Sequence, residues 1–202
     1  MKKYIIILFA VMTLGISKGM AQDNTIWELE WNISFPMGEM GDVFNETSLR
    51  GIEFGGTYRF ETGVTVGGTM TYAAFFSKSD PITIEWDNKA LTAVHLRDLY
   101  SYSFMAEGGY AYKSNSPVTP YVKVGIGGFW TEQYTTVGLL SWYDRNWDFG
   151  MRPELGFYYI PEFYGIGFMA NVKYSWIPSY DQQKMDAISY LGLGLGVVFG
   201  FN

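Results

Sequence analysis

The stretch Ile26-Trp27-Glu28-Leu29-Glu30-Trp31-Asn32-Ile33-Ser34-Phe35 decides the fold class. Trp27, Leu29, Trp31, Ile33 and Phe35 fall on one side of an extended chain. Glu28, Glu30, Asn32 and Ser34 fall on the other. Successive side chains of a β-strand point to opposite faces, so this period of two predicts a half-buried strand. The same pattern returns seven more times, over 50–60, 64–76, 99–112, 120–131, 148–159, 165–176 and 188–201. In the last run Leu191, Leu193, Leu195 and Val197 alternate with Gly192, Gly194 and Gly196. Pro153 interrupts the sixth run and predicts a bulge there, because proline cannot donate to a ladder.

The composition agrees. The chain has 202 residues, 48% hydrophobic, 19% aromatic and 17% charged, with 24 glycines and no cysteine. Such apolar content excludes a disordered chain, and the missing cysteine excludes disulfides, thiolate metal sites and a lipid-modified N-terminal cysteine. The net charge of −6 argues against nucleic acid, which needs a basic surface. Residues 1–21 read as a secretory signal: Lys2 and Lys3, an apolar run from Tyr4 to Leu14, then Gly19-Met20-Ala21. Its removal takes three lysines and no acid, so the mature domain, 22–202, carries −9.

Eight strands of this length suit a membrane barrel, since a tilted strand crosses the hydrocarbon with about 9–11 residues. The connections 61–63, 113–119 and 160–164 are short, whereas 37–49, 77–98, 132–147 and 177–187 are long. That alternation is the pattern of short periplasmic turns and longer extracellular loops. The polar face is mostly Gly, Ser and Thr, which suits the narrow interior of eight strands. The apolar face gathers aromatic residues toward its ends. Tyr58, Phe60, Tyr110, Tyr112, Tyr159, Tyr164 and Phe201 would lie at one membrane interface. Phe35, Tyr72, Phe76, Tyr100, Trp130, Trp147 and Trp176 would lie at the other. The reading is an all-β, eight-stranded, antiparallel up-and-down transmembrane barrel embedded in lipid. A soluble lipocalin-like carrier is the inverted alternative.

With these residues in view, the mature chain resembles the small eight-stranded outer-membrane barrels of the OmpX and OmpA-transmembrane type. Its end, Gly196, Phe199 and Phe201, resembles their C-terminal assembly signal, with Asn202 following. The resemblance implies a Gram-negative outer membrane and insertion by its assembly machinery. It assigns no function.

Nine charges point to the polar face: Glu28, Glu30, Glu53, Glu107 and Glu154 against Arg59, Lys123, Arg152 and Lys173. Charges in a narrow interior must pair, so an ion-pair plug is expected, and a small pore is the competing reading. Trp142, Tyr143, Arg145 and Trp147 in the third long loop have the composition of a binding surface, for a surface glycan or a partner protein. Catalysis has little to stand on. His95 is the one histidine, with Asp98 and Ser101 nearby. Outer-membrane barrel enzymes that acylate or deacylate lipid A use histidine, serine and a carboxylate. The text Val94-His95-Leu96-Arg97-Asp98 does not resemble the deacylase motif. Glu39, Asp42 and Glu46 are loop carboxylates that could gather calcium, but no metal or other cofactor is assigned.

Overall fold

A computed structural model describes residues 24–79, 82–86, 89–112, 116–138, 140–161, 165–178 and 187–200. The elements, in chain order, are β1 (Thr25–Met37), α1 (Gly38–Val43), β2 (Ser48–Arg59), β3 (Val64–Lys78), β4 (Ile82–Trp86), β5 (Lys89–Ala93), β6 (His95–Ala111), β7 (Val118–Val137), β8 (Leu140–Tyr159), β9 (Ile166–Pro178) and β10 (Ala187–Phe199). Eight strands close into a barrel in the order β1-β2-β3-β6-β7-β8-β9-β10, every neighbour antiparallel. β10 pairs back onto β1, with Trp27 opposite Phe199 and Phe35 opposite Leu191. Closure leaves no open sheet edge within the wall, the condition for strands in lipid. β4 and β5 form a separate hairpin inserted between β3 and β6.

The apolar rows face outward. Ile126, Leu155 and Phe149 are 64%, 65% and 72% exposed, while Glu28, Lys123 and Arg152 are 1%, 2% and 1% exposed. An apolar surface that wraps the whole wall suits lipid rather than water. The interior is correspondingly crowded. A Cβ at Gly194 would overlap Glu30 Oε2 and Asn171 Oδ1, and one at Gly192 would come within 2.9 Å of Lys173 Cγ. The alternating glycines of β10 therefore make room for long polar side chains reaching in from β1 and β9.

Four expectations are corrected. The segment 132–147 is not a loop. β7 and β8 run on as a paired hairpin, in continuous register from Val118↔Tyr159 to Val137↔Leu140. The segment 77–98 contains β4 and β5, and His95 already begins β6. Pro153 produces no bulge: Met151↔Trp176 and Glu154↔Lys173 keep one register on either side of it. Its missing N–H fits a gap in the β8–β9 ladder rather than a slipped strand. The irregularity lies instead between β1 and β2, around Asn32 and Ser34.

Nor is the lumen lined only by small and polar residues. Toward the long-loop end, Ala73, Phe75, Leu99, Met105, Phe129, Ile177, Ile188 and Tyr190 form an apolar layer, and Met40 and Phe44 from the α1 segment complete it. Met40 and Phe44 are fully buried. Toward the short-turn end, Ile26, Ala111, Tyr121, Tyr158, Met169 and Val198 form a second apolar layer. The buried charges lie between the two. The expected signal at 1–21 and the aromatics Tyr164 and Phe201 lie outside the described residues.

Candidate functional site

The charged layer is built from the inward rows of seven strands. Lys123 on β7 donates to both oxygens of Glu28 on β1, at 2.7 and 2.9 Å, and to Thr57 Oγ1 on β2 at 3.1 Å. It also stands 3.8 Å from Glu107 Oε2. Arg152 on β8 is the hub. Its Nη1 donates to Glu53 Oε2 and Thr71 Oγ1, both at 2.7 Å. Its Nη2 donates to Thr69 Oγ1 at 2.7 Å and to Glu107 Oε1 at 2.8 Å. Lys173 on β9 bridges Glu30 and Glu53, each at 3.0 Å, and lies 4.0 Å from Glu154.

Threonines mediate these pairs. Thr57, Thr69 and Thr71 each accept from a cation and donate to a glutamate: Glu28, Glu107 and Glu53 respectively. Three further side chains add donors to the shell. Tyr158 donates to Glu28 at 2.8 Å, Tyr121 to Glu154 at 2.6 Å and Asn171 to Glu30 at 2.8 Å. Buried carboxylates survive only with such partners. Arg59 stands apart: it is half-buried at the end of β2 and forms no ion pair among the described residues. The layer therefore holds five carboxylates and three cations.

Carboxylate oxygens of Glu53, Glu107 and Glu154 approach within 4.8 Å of one another, the only group of metal-ligand type among the described residues. Arg152 already occupies the gap between Glu53 and Glu107, so this cluster is an arginine site. His95 forms no triad with Asp98 and Ser101. It and Ser101 share one side of β6, whereas Asp98 lies on the other. Six residues of strand separate His95 from Ser101, about 20 Å.

A second constellation lies on the outer wall, where β3, β6, β7 and β8 continue toward the long-loop end. Cross-strand register sets Tyr72 beside Tyr102, Tyr102 beside Trp130, and Trp130 beside Trp147. One step farther out, Tyr100 faces Glu132 and Glu132 faces Arg145. One step beyond, Asp98 faces Tyr134 and Tyr134 faces Tyr143. Trp130 Nε1 and Tyr143 Oη both donate to Glu132 Oε1, at 3.1 Å each. Arg145 Nε donates to Tyr143 Oη at 2.6 Å, and its guanidinium lies 5.2 Å from the Trp130 ring centre. The Trp130 indole, followed by Tyr143 and Arg145, holds the half-buried Glu132 carboxyl below the usual carboxylate range.

Of the four loop residues singled out by composition, Tyr143, Arg145 and Trp147 share this outer face. Trp142 is on the opposite face of the hairpin, beside a hollow of about 230 Å³ with Gln133, Thr135 and Asp144. Composition missed the larger feature, an open cleft of about 530 Å³ lined by Tyr72, Tyr100, Tyr102, Tyr134, Asp98 and Glu132. The signal was present as same-parity spacing in Asp98-Leu99-Tyr100-Ser101-Tyr102 and in Trp130-Thr131-Glu132-Gln133-Tyr134. Only the β6–β7 register brings the two rows together.

Residues 6–201 match the family model described as outer membrane protein beta-barrel domain. The chain belongs to that family. Its fold is similar to that of Neisserial surface protein A, NspA, with a TM-score of 0.59 and 16% identity over 88% of this chain and 97% of that one. Ail of Yersinia pestis is more distant, at a TM-score of 0.46 and 14% identity over 87% of this chain and 97% of that one. The N-terminal barrel of Pseudomonas aeruginosa OprF gives 0.42 and 16% over 88% and 98%. A search of curated proteins found no match. At these identities the structural likeness speaks for the fold.

Proposed function

We propose that this protein is a plugged, non-catalytic barrel of the outer membrane that presents an extended hairpin, β7–β8, for binding at the cell surface. The observation that carries the reading is the layered lumen. An ion-paired layer lies between two apolar layers, and Met40 and Phe44 cap the long-loop end. A path for ions would have to break these buried pairs. The separation of His95, Asp98 and Ser101 along and across β6 supports the non-catalytic side of the reading. In this account residues 1–21 direct export, and Gly196, Phe199 and Phe201 engage the assembly machinery. Gly196 and Phe199 lie on β10; Phe201 is outside the described residues.

Two measurements test this. Fractionation of cells expressing the full chain should place a heat-modifiable band in the outer membrane, and a soluble band would overturn the location. Purified barrel in a planar lipid bilayer should give no stepwise current. Reproducible current steps that vanish on removing the protein would overturn the plug and favour a small pore.

A further inference from the structure

The cleft on the outer wall has a chemistry that the envelope role leaves unexplained. Its centre is a four-residue cell on β6 and β7. Tyr100 is paired with Glu132, and Asp98 with Tyr134, so tyrosines occupy one diagonal and carboxylates the other. The Tyr100 and Tyr134 rings are 6.0 Å apart and nearly perpendicular, at 79°. Tyr72 and Tyr102, 5.2 Å apart, line the same cleft from the row below. Diagonal neighbours on a sheet face are about 7–8 Å apart, so the two carboxylates repel unless cations offset them.

That offset is one-sided. Glu132 has Arg145 at 3.5 Å and two hydrogen-bond donors besides. Asp98, half-buried among aromatic rings, makes no hydrogen bond or ion pair among the described residues. The cleft therefore has, within its lining, no basic residue to offset Asp98. A hard divalent ion is a poor occupant, because it requires six or more oxygens at close range and here two carboxylates share the wall with ring faces. Rings around a negative charge suit an organic ammonium group: the ring quadrupoles and the carboxylate attract its charge, and its alkyl shell packs on the rings. The volume of about 530 Å³ is ample for such a head group. The cell lies one step beyond the Tyr102–Trp130–Trp147 row, where aromatic girdles meet lipid head groups. Arg50, exposed on β2, is opposite Ala74, itself opposite Tyr100, so it stands on the same face beyond the cleft, where it suits a phosphate joined to the ammonium.

We infer that the cleft between Asp98, Tyr100, Glu132 and Tyr134 binds an alkylated ammonium group at the outer membrane surface. This deepens the surface-binding reading and rests on it for which end faces out.

The test uses the whole mature barrel in phosphatidylglycerol nanodiscs, which contain no amine head group. Choline is titrated while tyrosine ring resonances are followed by NMR. The control is 3,3-dimethylbutan-1-ol, the uncharged isostere with carbon in place of nitrogen. Saturable shifts with choline, about tenfold weaker with the isostere, are expected. Asp98→Asn should weaken choline about tenfold while keeping the heat-modifiable band, and Tyr100→Leu should weaken it further. No saturable shift, equal response to the isostere, or an unaltered Asp98→Asn titration would overturn the site. Two arms then identify the source. Shifts produced by phosphatidylcholine placed in the disc support a lipid head group, and shifts produced only by soluble choline or phosphocholine support a free ligand. Failure here with an intact, non-conducting outer-membrane barrel would remove the ammonium site and leave the proposed function standing.

Discussion

Replacing Arg152 by methionine should be the most damaging conservative-volume change in the lumen. Arg152 makes four hydrogen bonds, two to carboxylates and two to threonines, from a side chain that is 1% exposed. Methionine fills part of the space but leaves Glu53 and Glu107 without their shared cation. The layer would go from five carboxylates and three cations to five and two. Breaking a buried pair on one side costs about 3–5 kcal/mol, which is roughly two to four powers of ten in the folding equilibrium. Urea titration of the barrel in lipid vesicles, read by tryptophan fluorescence and by gel mobility without boiling, measures this loss. Neutralising one abandoned carboxylate tests the cause. The double variant Arg152→Met with Glu107→Gln should be more stable than Arg152→Met alone, because the cost arises from unpaired buried charge. If Arg152→Met lies within about 0.5 kcal/mol of the parent, or the second change adds a further loss, the charged layer does not hold the barrel as argued.

Gly194→Val should abolish the heat-resistant band, since its Cβ alone would overlap Glu30 and Asn171, whereas Gly108→Ala, with nothing within 4 Å, should fold as the parent does on the same gel. Met40→Ala should cost about 2–5 kcal/mol in the urea titration by leaving a cavity beneath the α1 cap. The same variant should still show no bilayer current, because the charged layer remains closed below it. The Glu132 carboxyl should titrate below an ordinary glutamate by NMR, and Trp130→Phe should move it back upward. Its folded value is depressed, so its small contribution to stability is present above the unfolded value and fades as pH falls through the folded one.

Particular residues show how far the sequence reached. The Ile26–Phe35 alternation placed Glu28 and Glu30 on the inner face, and they are buried. Parity is local: it needs only the strand's own period. Phe75 and Phe76 follow the same parity, with Phe76 on the outward row expected of it. Phe75 turns into the lumen beside Tyr190, at 5.1 Å, and what composition hid is that an aromatic, not a small or polar residue, fills that inward position. Leu99 and Ile188 begin their expected runs, Ile177 follows one and Phe129 lies two residues before the end of another, all on the inward parity. The hairpin at 132–147 was hidden by composition. Its Trp, Tyr, Asp, Arg and Asn residues read as a loop, although their spacing on β7 and β8 keeps the period of two.

By itself the sequence determined the strand period, the direction of each face and the glycine row that leaves room inside β10, because these depend on neighbours along the chain. The tertiary structure decided which charges meet, which apolar residues seal the lumen, and that Asp98 and Glu132 share an aromatic cleft. Lys173 reaches Glu30 across 143 positions of sequence. Such contacts depend on barrel closure and strand register, and one step of register would carry every one of those side chains to the opposite face.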